Sequence, residues 1–275
     1  MTRVFLLAAL FACGNNQTFP DRGRFMPGDA GALDCIPDLN GSIESDELLP
    51  AIGVPVSLLV SPVGIEREVN IAGSIVDEQR VWSLDLDFAD DQLAQIQASD
   101  LAGQWFADSF PEGEFVAPLD PASQTLGIFR HTETALLLYG LASAEENPSA
   151  GQTLYAYASP VEVNRFPITA GDEFVSVGEV SGGTLLGLPY AGRDIYEVRV
   201  VSTGRLQLID FEFEQAHRVD TRVTVEPAVG VATSRRQVSW FFECFGEVAR
   251  ATSRPDETEV DFTTAAELRR LSLER

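Results

Sequence analysis

From residue 54 onward, apolar and polar side chains alternate with a period of two, which places successive residues on opposite faces of a strand. In VWSLDLDF, residues 81–88, Leu84, Leu86 and Phe88 point one way while Asp85 and Asp87 point the other. VPVSLLVSP (54–62), TLGIFRH (125–131), TALLLYGLASA (134–144) and GQTLYAYASP (151–160) read as further strands, with a turn near Thr132 and Glu133. In DIYEVRVVSTGRLQLIDF (194–211), Tyr196, Val198 and Val200 predict a strand that turns at Ser202-Thr203-Gly204 and returns through Leu206 and Leu208. HRVDTRVTVEP (217–227) repeats the pattern with Val219, Thr221, Val223 and Val225. Residues 238–245, VSWFFECF, are apolar on both faces, which predicts a central strand with Val238, Trp240, Phe242 and Cys244 on one side.

Two stretches follow a helical spacing instead. DDQLAQIQASDLAGQWF (90–106) offers Asp90 or Ser99 as N-caps and predicts two short helices before Phe110. Thr264 followed by Glu267 has capping-box spacing, predicting a short final helix or else one more strand. Many strands, polar loops and few helices together predict an all-β protein, an antiparallel sandwich or half-barrel with a few short helices. The stretch PVEVNRFPITAG (160–171) divides a first β-rich half, 51–165, from a second, 166–275.

The N-terminus has a different texture. Met1-Thr2-Arg3 carries one positive charge, and an unbroken apolar run follows from Val4 to Ala12. That run is too short to span about 30 Å of hydrocarbon as a helix and has the form of a signal-peptide core. Leu10-Phe11-Ala12-Cys13 resembles the lipobox of bacterial lipoproteins, with a bulkier residue than usual at Phe11. The resemblance implies cleavage after residue 12 and acylation of Cys13, a membrane anchor of two or more chains. Gly14 after the cysteine implies sorting to the outer membrane, so the expected location is the cell envelope. Residues 13–34, rich in Gly, Asn, Asp and Pro, read as a flexible tether.

Charge narrows the partners. The chain has 19 basic and 42 acidic residues, and every basic one is arginine. A net charge of -23 repels nucleic acid and anionic lipid surfaces. Of the three cysteines, Cys13 is assigned to lipid, leaving Cys35 and Cys244 as an expected disulfide in an oxidising compartment.

The strongest candidate for ion chemistry is IPDLNGSIESDE, residues 36–47. It resembles the calcium loop of EF-hands and dockerin modules, with Gly41 and Ile43 at the glycine and core-facing positions. The resemblance implies ligands Asp38, Asn40, Ser42, Glu44 and Glu47 for Ca2+, while Ile36 stands where the first oxygen ligand belongs. A second acidic run, Asp85, Asp87, Asp90 and Asp91, reads as a solvated face.

For catalysis the residues offer little. His131 and His217 are the only histidines, in no metal-ligand spacing, with His217 read as a surface residue beside Glu214 and Arg218. There is no nucleophile elbow, no phosphate loop and no dinucleotide fingerprint. The sequence therefore predicts no enzyme but an exported lipoprotein with a binding or structural role, its partner an envelope protein or an apolar ligand. Two other readings stay open. One is a lipid carrier whose half-barrel is lined by Trp105, Phe106 and Phe110; the other is a hydrolase with dispersed carboxylates.

Overall fold

The computed structural model describes residues 35–273, so the expected leader (1–12), Cys13 and the expected tether (13–34) lie outside the described residues. A first strand β1 (Ser42–Ile43) leads through short strands β2 (Pro55–Val60), β3 (Arg67–Glu68), β4 (Ser74–Val76) and β5 (Gln79–Ser83). Next come β6 (Gln92–Gln97), β7 (Ser99–Asp100), β8 (Phe115–Pro118), β9 (Thr125–His131) and β10 (Ala135–Ser143). The longest strands follow: β11 (Leu154–Arg165), a short β12 (Ile168–Thr169), β13 (Glu173–Leu185), β14 (Leu188–Gln207) and β15 (Glu212–Pro227). The chain ends with β16 (Thr233–Phe242), β17 (Gly246–Thr252), β18 (Thr264–Ala265) and β19 (Glu267–Leu271).

One fifteen-stranded sheet dominates, thirteen of its strands running β6-β2-β19-β17-β16-β15-β14-β13-β11-β10-β9-β8-β7, with β5 joined to β14 and β4 to β5. Its two end strands, β6 and β7, are consecutive in the chain with Ala98 alone between them. The sheet thus curls back on itself into a nearly closed half-barrel, all-β and antiparallel apart from the parallel pair β5 and β14.

Two expectations from the sequence are corrected here, and one alternative is decided. Residues 90–110 hold no α-helices: Gln92–Gln97 pairs residue for residue with Pro55–Val60, and only a 3-10 turn at Ala107–Ser109 is helical. Gln, Leu and Ala favour helix, but six residues of ladder pairing outweigh propensities of a few tenths of a kcal/mol each. At Thr264 the strand alternative holds rather than the helix, as β18 joins β3 and β19 joins β17 and β2. Ser202-Thr203-Gly204 is not a turn. The strand β14 runs through it, with register shifts against β15 after Val200 and after Gly204, and the hairpin reverses where the Leu208 N–H donates to the Phe211 carbonyl. One shift adds a residue to β14 and the next adds one to β15, and Asp194, Val198, Val200, Gly204 and Leu206 are buried along the even-numbered positions.

The doubly apolar stretch at 238–245 is explained by cover on both sides. On one face Val238, Trp240 and Phe242 pack with Trp82 of β5, Leu84 just after it and Phe262. Trp82 meets Trp240 edge to face at 6.1 Å. The strand stops at Phe242, however, so Cys244 sits in the β16–β17 turn with φ of +66° rather than on the strand's core face.

His217 is corrected from surface to interior. It is fully buried on β15 between Ala216 and Arg218, themselves buried, because the sheet is covered on both faces there. The acidic run at 85–91 is also only partly a solvated face. Asp91 is buried and bonded to Arg67 at 2.8 Å and to Arg270, whose Nη1 reaches the Leu84 carbonyl at 2.7 Å. Both guanidinium groups lie over the Phe88 ring, forming a buried clamp between the 84–91 segment and β19.

Candidate ligand cavity and acidic cluster

The inner face of the half-barrel lines a partly open cavity of about 540 Å³. Its lining comes from nearly the whole circuit of the sheet, from Val56 and Leu58 on β2 round to Val219 and Val223 on β15. Alternation explains this: Val219, Thr221 and Val223 face inward while Arg218, Asp220 and Arg222 face the other way. The β8–β11 wall is apolar, with Phe115, Phe129, Leu138 and Val163. The volume falls in the range of small-molecule sites, about 300–1,000 Å³.

The opposite wall carries the polar groups. Arg250 on β17 and Arg269 on β19 both line the cavity and are paired directly across the two strands. Arg250 bonds Glu247 at 2.7 Å, yet its Nε is buried without a hydrogen-bond partner. Arg269 bonds Glu267 at 2.5 Å and the Leu119 carbonyl at 2.8 Å. Next to them, Gln237 donates to the Ser239 hydroxyl at 3.0 Å, and both line the lumen. His131 also lines it, and burial holds its imidazole below the ordinary value.

The aromatics expected to line a carrier site do not. Phe106 and Phe110 are buried in a separate core with Leu101, Val116 and Ile128, and Trp105 packs against it while its indole N–H donates to the Ser143 carbonyl at 3.0 Å. Aromatic composition was a poor guide because the lumen is built from single residues of many strands, each unremarkable in its own segment.

One end of the cavity is bounded by Glu47 to Ala51, the exit of the segment that begins at Cys35. Three links hold that segment. Cys35 and Cys244 form a disulfide with Cα atoms 5.6 Å apart. The Cys244 N–H donates to the Glu47 carbonyl at 2.8 Å. β1 pairs with β12, placing Ile43 against Ile168 in a core with Val198, Val200 and Val219. Full burial of Ile43 is worth about 2–3 kcal/mol.

Within this segment, the five loop residues singled out from the sequence part company. Asn40 donates to Asp38 through its backbone and side-chain nitrogens, both at 3.0 Å, and Ser42 donates to the Asn40 side-chain oxygen Oδ1 from both its N–H and its hydroxyl at 2.9 Å. The Ser42 hydroxyl reaches Glu44 at 3.2 Å, and Glu44 caps the 3-10 turn Ser45–Leu48, its N–H donating to the Glu47 carboxylate at 2.8 Å. Asn40, Ser42 and Glu44 thus hold the turn by bonding one another.

Asp38 and Glu47 do converge, but with Glu243 from the β16–β17 turn, a residue the sequence reading missed. One carboxylate oxygen from each of the three lies within 4.8 Å of the other two. Glu243 is 1% exposed; its Oε2 accepts the N–H groups of Asp38 at 2.7 Å and Leu39 at 2.9 Å, and its Oε1 has no partner. Burial, with the nearby charges of Glu243, Asp38 and Asp46 adding to it, raises the Glu47 carboxyl above its ordinary value despite the Glu44 N–H bond. The only hint available in the sequence was adjacency: Glu243 precedes the cysteine expected to pair with Cys35.

No family model matches this chain, and neither a curated protein nor a solved structure is found to be similar to it, so the functional reading rests on the cavity and the acidic cluster themselves.

Proposed function

We propose that the protein is a binding protein of the cell envelope that holds an elongated apolar molecule with an anionic end inside its half-barrel. One observation carries the reading: a lumen of about 540 Å³ walled by Phe, Leu and Val side chains from strands all round the sheet. Such a space is filled in a protein that uses its sheet only as scaffold, since interiors pack like organic crystals. The polar wall at Arg250 and Arg269 gives the ligand its orientation, with the hydrocarbon against β8–β11 and the anionic end at the guanidinium pair. The leader and Cys13 supply the location, a tether to the outer membrane where acyl-chain compounds are plentiful.

The test is titration of the full chain with a fluorescent long-chain fatty acid, beside an Ala117→Trp variant that projects an indole into the lumen. Saturable binding by the native chain, weakened at least tenfold in the variant, is the expected result. A native chain that gives no saturable signal removes the proposal.

A further inference from the structure

We propose that Asp38, Glu47 and Glu243 bind a hard divalent cation, calcium by preference, which clasps the N-terminal segment to the β16–β17 turn. The geometry is that of a shared ligand set. Three carboxylate oxygens within 4.8 Å of one another can surround a single ion at Ca–O distances of about 2.3–2.6 Å.

The second observation is the state of Glu243. Its side chain is sealed from solvent, and Oε1 meets no donor although Oε2 accepts two backbone N–H groups. A buried carboxylate oxygen without a partner is strongly disfavoured, and it is the one carboxylate oxygen in that condition among the described residues. Nor does protein charge balance it. Among the described residues, none of the arginine ion pairs includes Asp38, Glu47 or Glu243. A divalent ion supplies both the missing partner for Oε1 and the missing positive charge.

Donor chemistry selects the ion. All three groups are carboxylates, with no thiolate or imidazole in the set, which suits calcium rather than the softer transition metals. Exposure of Asp38 leaves one side open to water, which completes the six to eight oxygens calcium takes. The ion would join the same two pieces of chain as the Cys35–Cys244 disulfide, one residue from Glu243. This inference is independent of what the lumen holds.

Calorimetric titration of the metal-free full chain with calcium chloride tests it, using Asp38→Asn, Glu243→Gln and, as a control outside the cluster, Asp85→Asn. We expect saturable binding by the native chain and the control, and at least tenfold weaker binding in both cluster variants. Asp38 is exposed, so its variant probes the site without disturbing the core. No saturable heat from the native chain, or native affinity in Asp38→Asn, overturns the proposal.

Discussion

Arg250 lies directly opposite Arg269 across the β17–β19 pair, and both residues line a largely apolar lumen. Like charges facing each other across strands are unfavourable unless something anionic lies between them. Glu247 and Glu267 each take up one of the two, and the buried Arg250 Nε is left over. Hexadecanoate should therefore bind more tightly than hexadecanol, and Arg250→Gln should erase about tenfold of that preference, near 1.4 kcal/mol. Competition of both compounds against one fluorescent probe measures it. Equal affinity for acid and alcohol in the native chain would leave the cavity as a binding site but remove the anionic end from its ligand.

The disulfide closes a loop with a sequence separation of 209 residues. In the chain-entropy view so long a loop contributes up to about 5 kcal/mol. Cys35→Ser should lower the thermal midpoint by several degrees and make the 35–50 segment susceptible to protease before the sheet melts. Limited proteolysis read by mass spectrometry distinguishes this from global unfolding, in which cleavage sites scatter over the whole chain.

His217 gives a pH dependence of definite sign. It is fully buried with both ring nitrogens unpartnered, and burial pushes its imidazole down to about 4. The folded value is below the unfolded one of about 6.5, so the stability contributed by neutral His217 is complete above that pH. It is lost as pH falls toward 4, by up to roughly 3 kcal/mol. His217→Leu should flatten the decline in urea midpoint between pH 7 and pH 4.5; a native slope retained by the variant would show that other groups govern it.

Asp194 works in the opposite direction. It is buried, and desolvation raises its carboxyl above the ordinary range although Tyr157 donates to it at 2.6 Å. A raised folded value means that its stability is present below an unfolded value of about 3.9 and is lost as pH rises through the folded one. The stability of Asp194→Asn relative to the native chain should therefore increase between pH 4 and pH 7. Tyr157→Phe removes the donor and should destabilise by about 1–3 kcal/mol at pH 7, a loss that Asp194→Asn in the same chain partly relieves. Urea denaturation of the four chains at two pH values decides the matter.

The class of fold was legible because it depends on local periodicity. Val219, Thr221 and Val223 alternate with charged residues over a length that only a strand accommodates, and Val238 to Phe242 announce cover on both faces. The pairing of Cys35 with Cys244 was legible by elimination and by compartment, once Cys13 was set aside. Where local signals were weak, pairing partners decided. Gln92–Gln97 has the composition of a helix and becomes an edge strand because Pro55–Val60 lies beside it.

Two of the three members of the acidic cluster were visible in advance. Asp38 and Glu47 stood out through their spacing in one loop, whereas Glu243 is brought to them from about 200 residues away by the β16–β17 turn. Proximity of that sort leaves no periodic trace in a chain.

By itself the sequence determined the strand-rich character, the acidic composition and the pair of cysteines, all properties of residue type and near-neighbour spacing. Only the tertiary structure decided that the sheet returns on itself at Ala98, that a lumen remains between its walls, and that Arg250 faces Arg269 there. Curvature and closure depend on register and bulges accumulated over many strands, and a cavity is the space those strands leave between them.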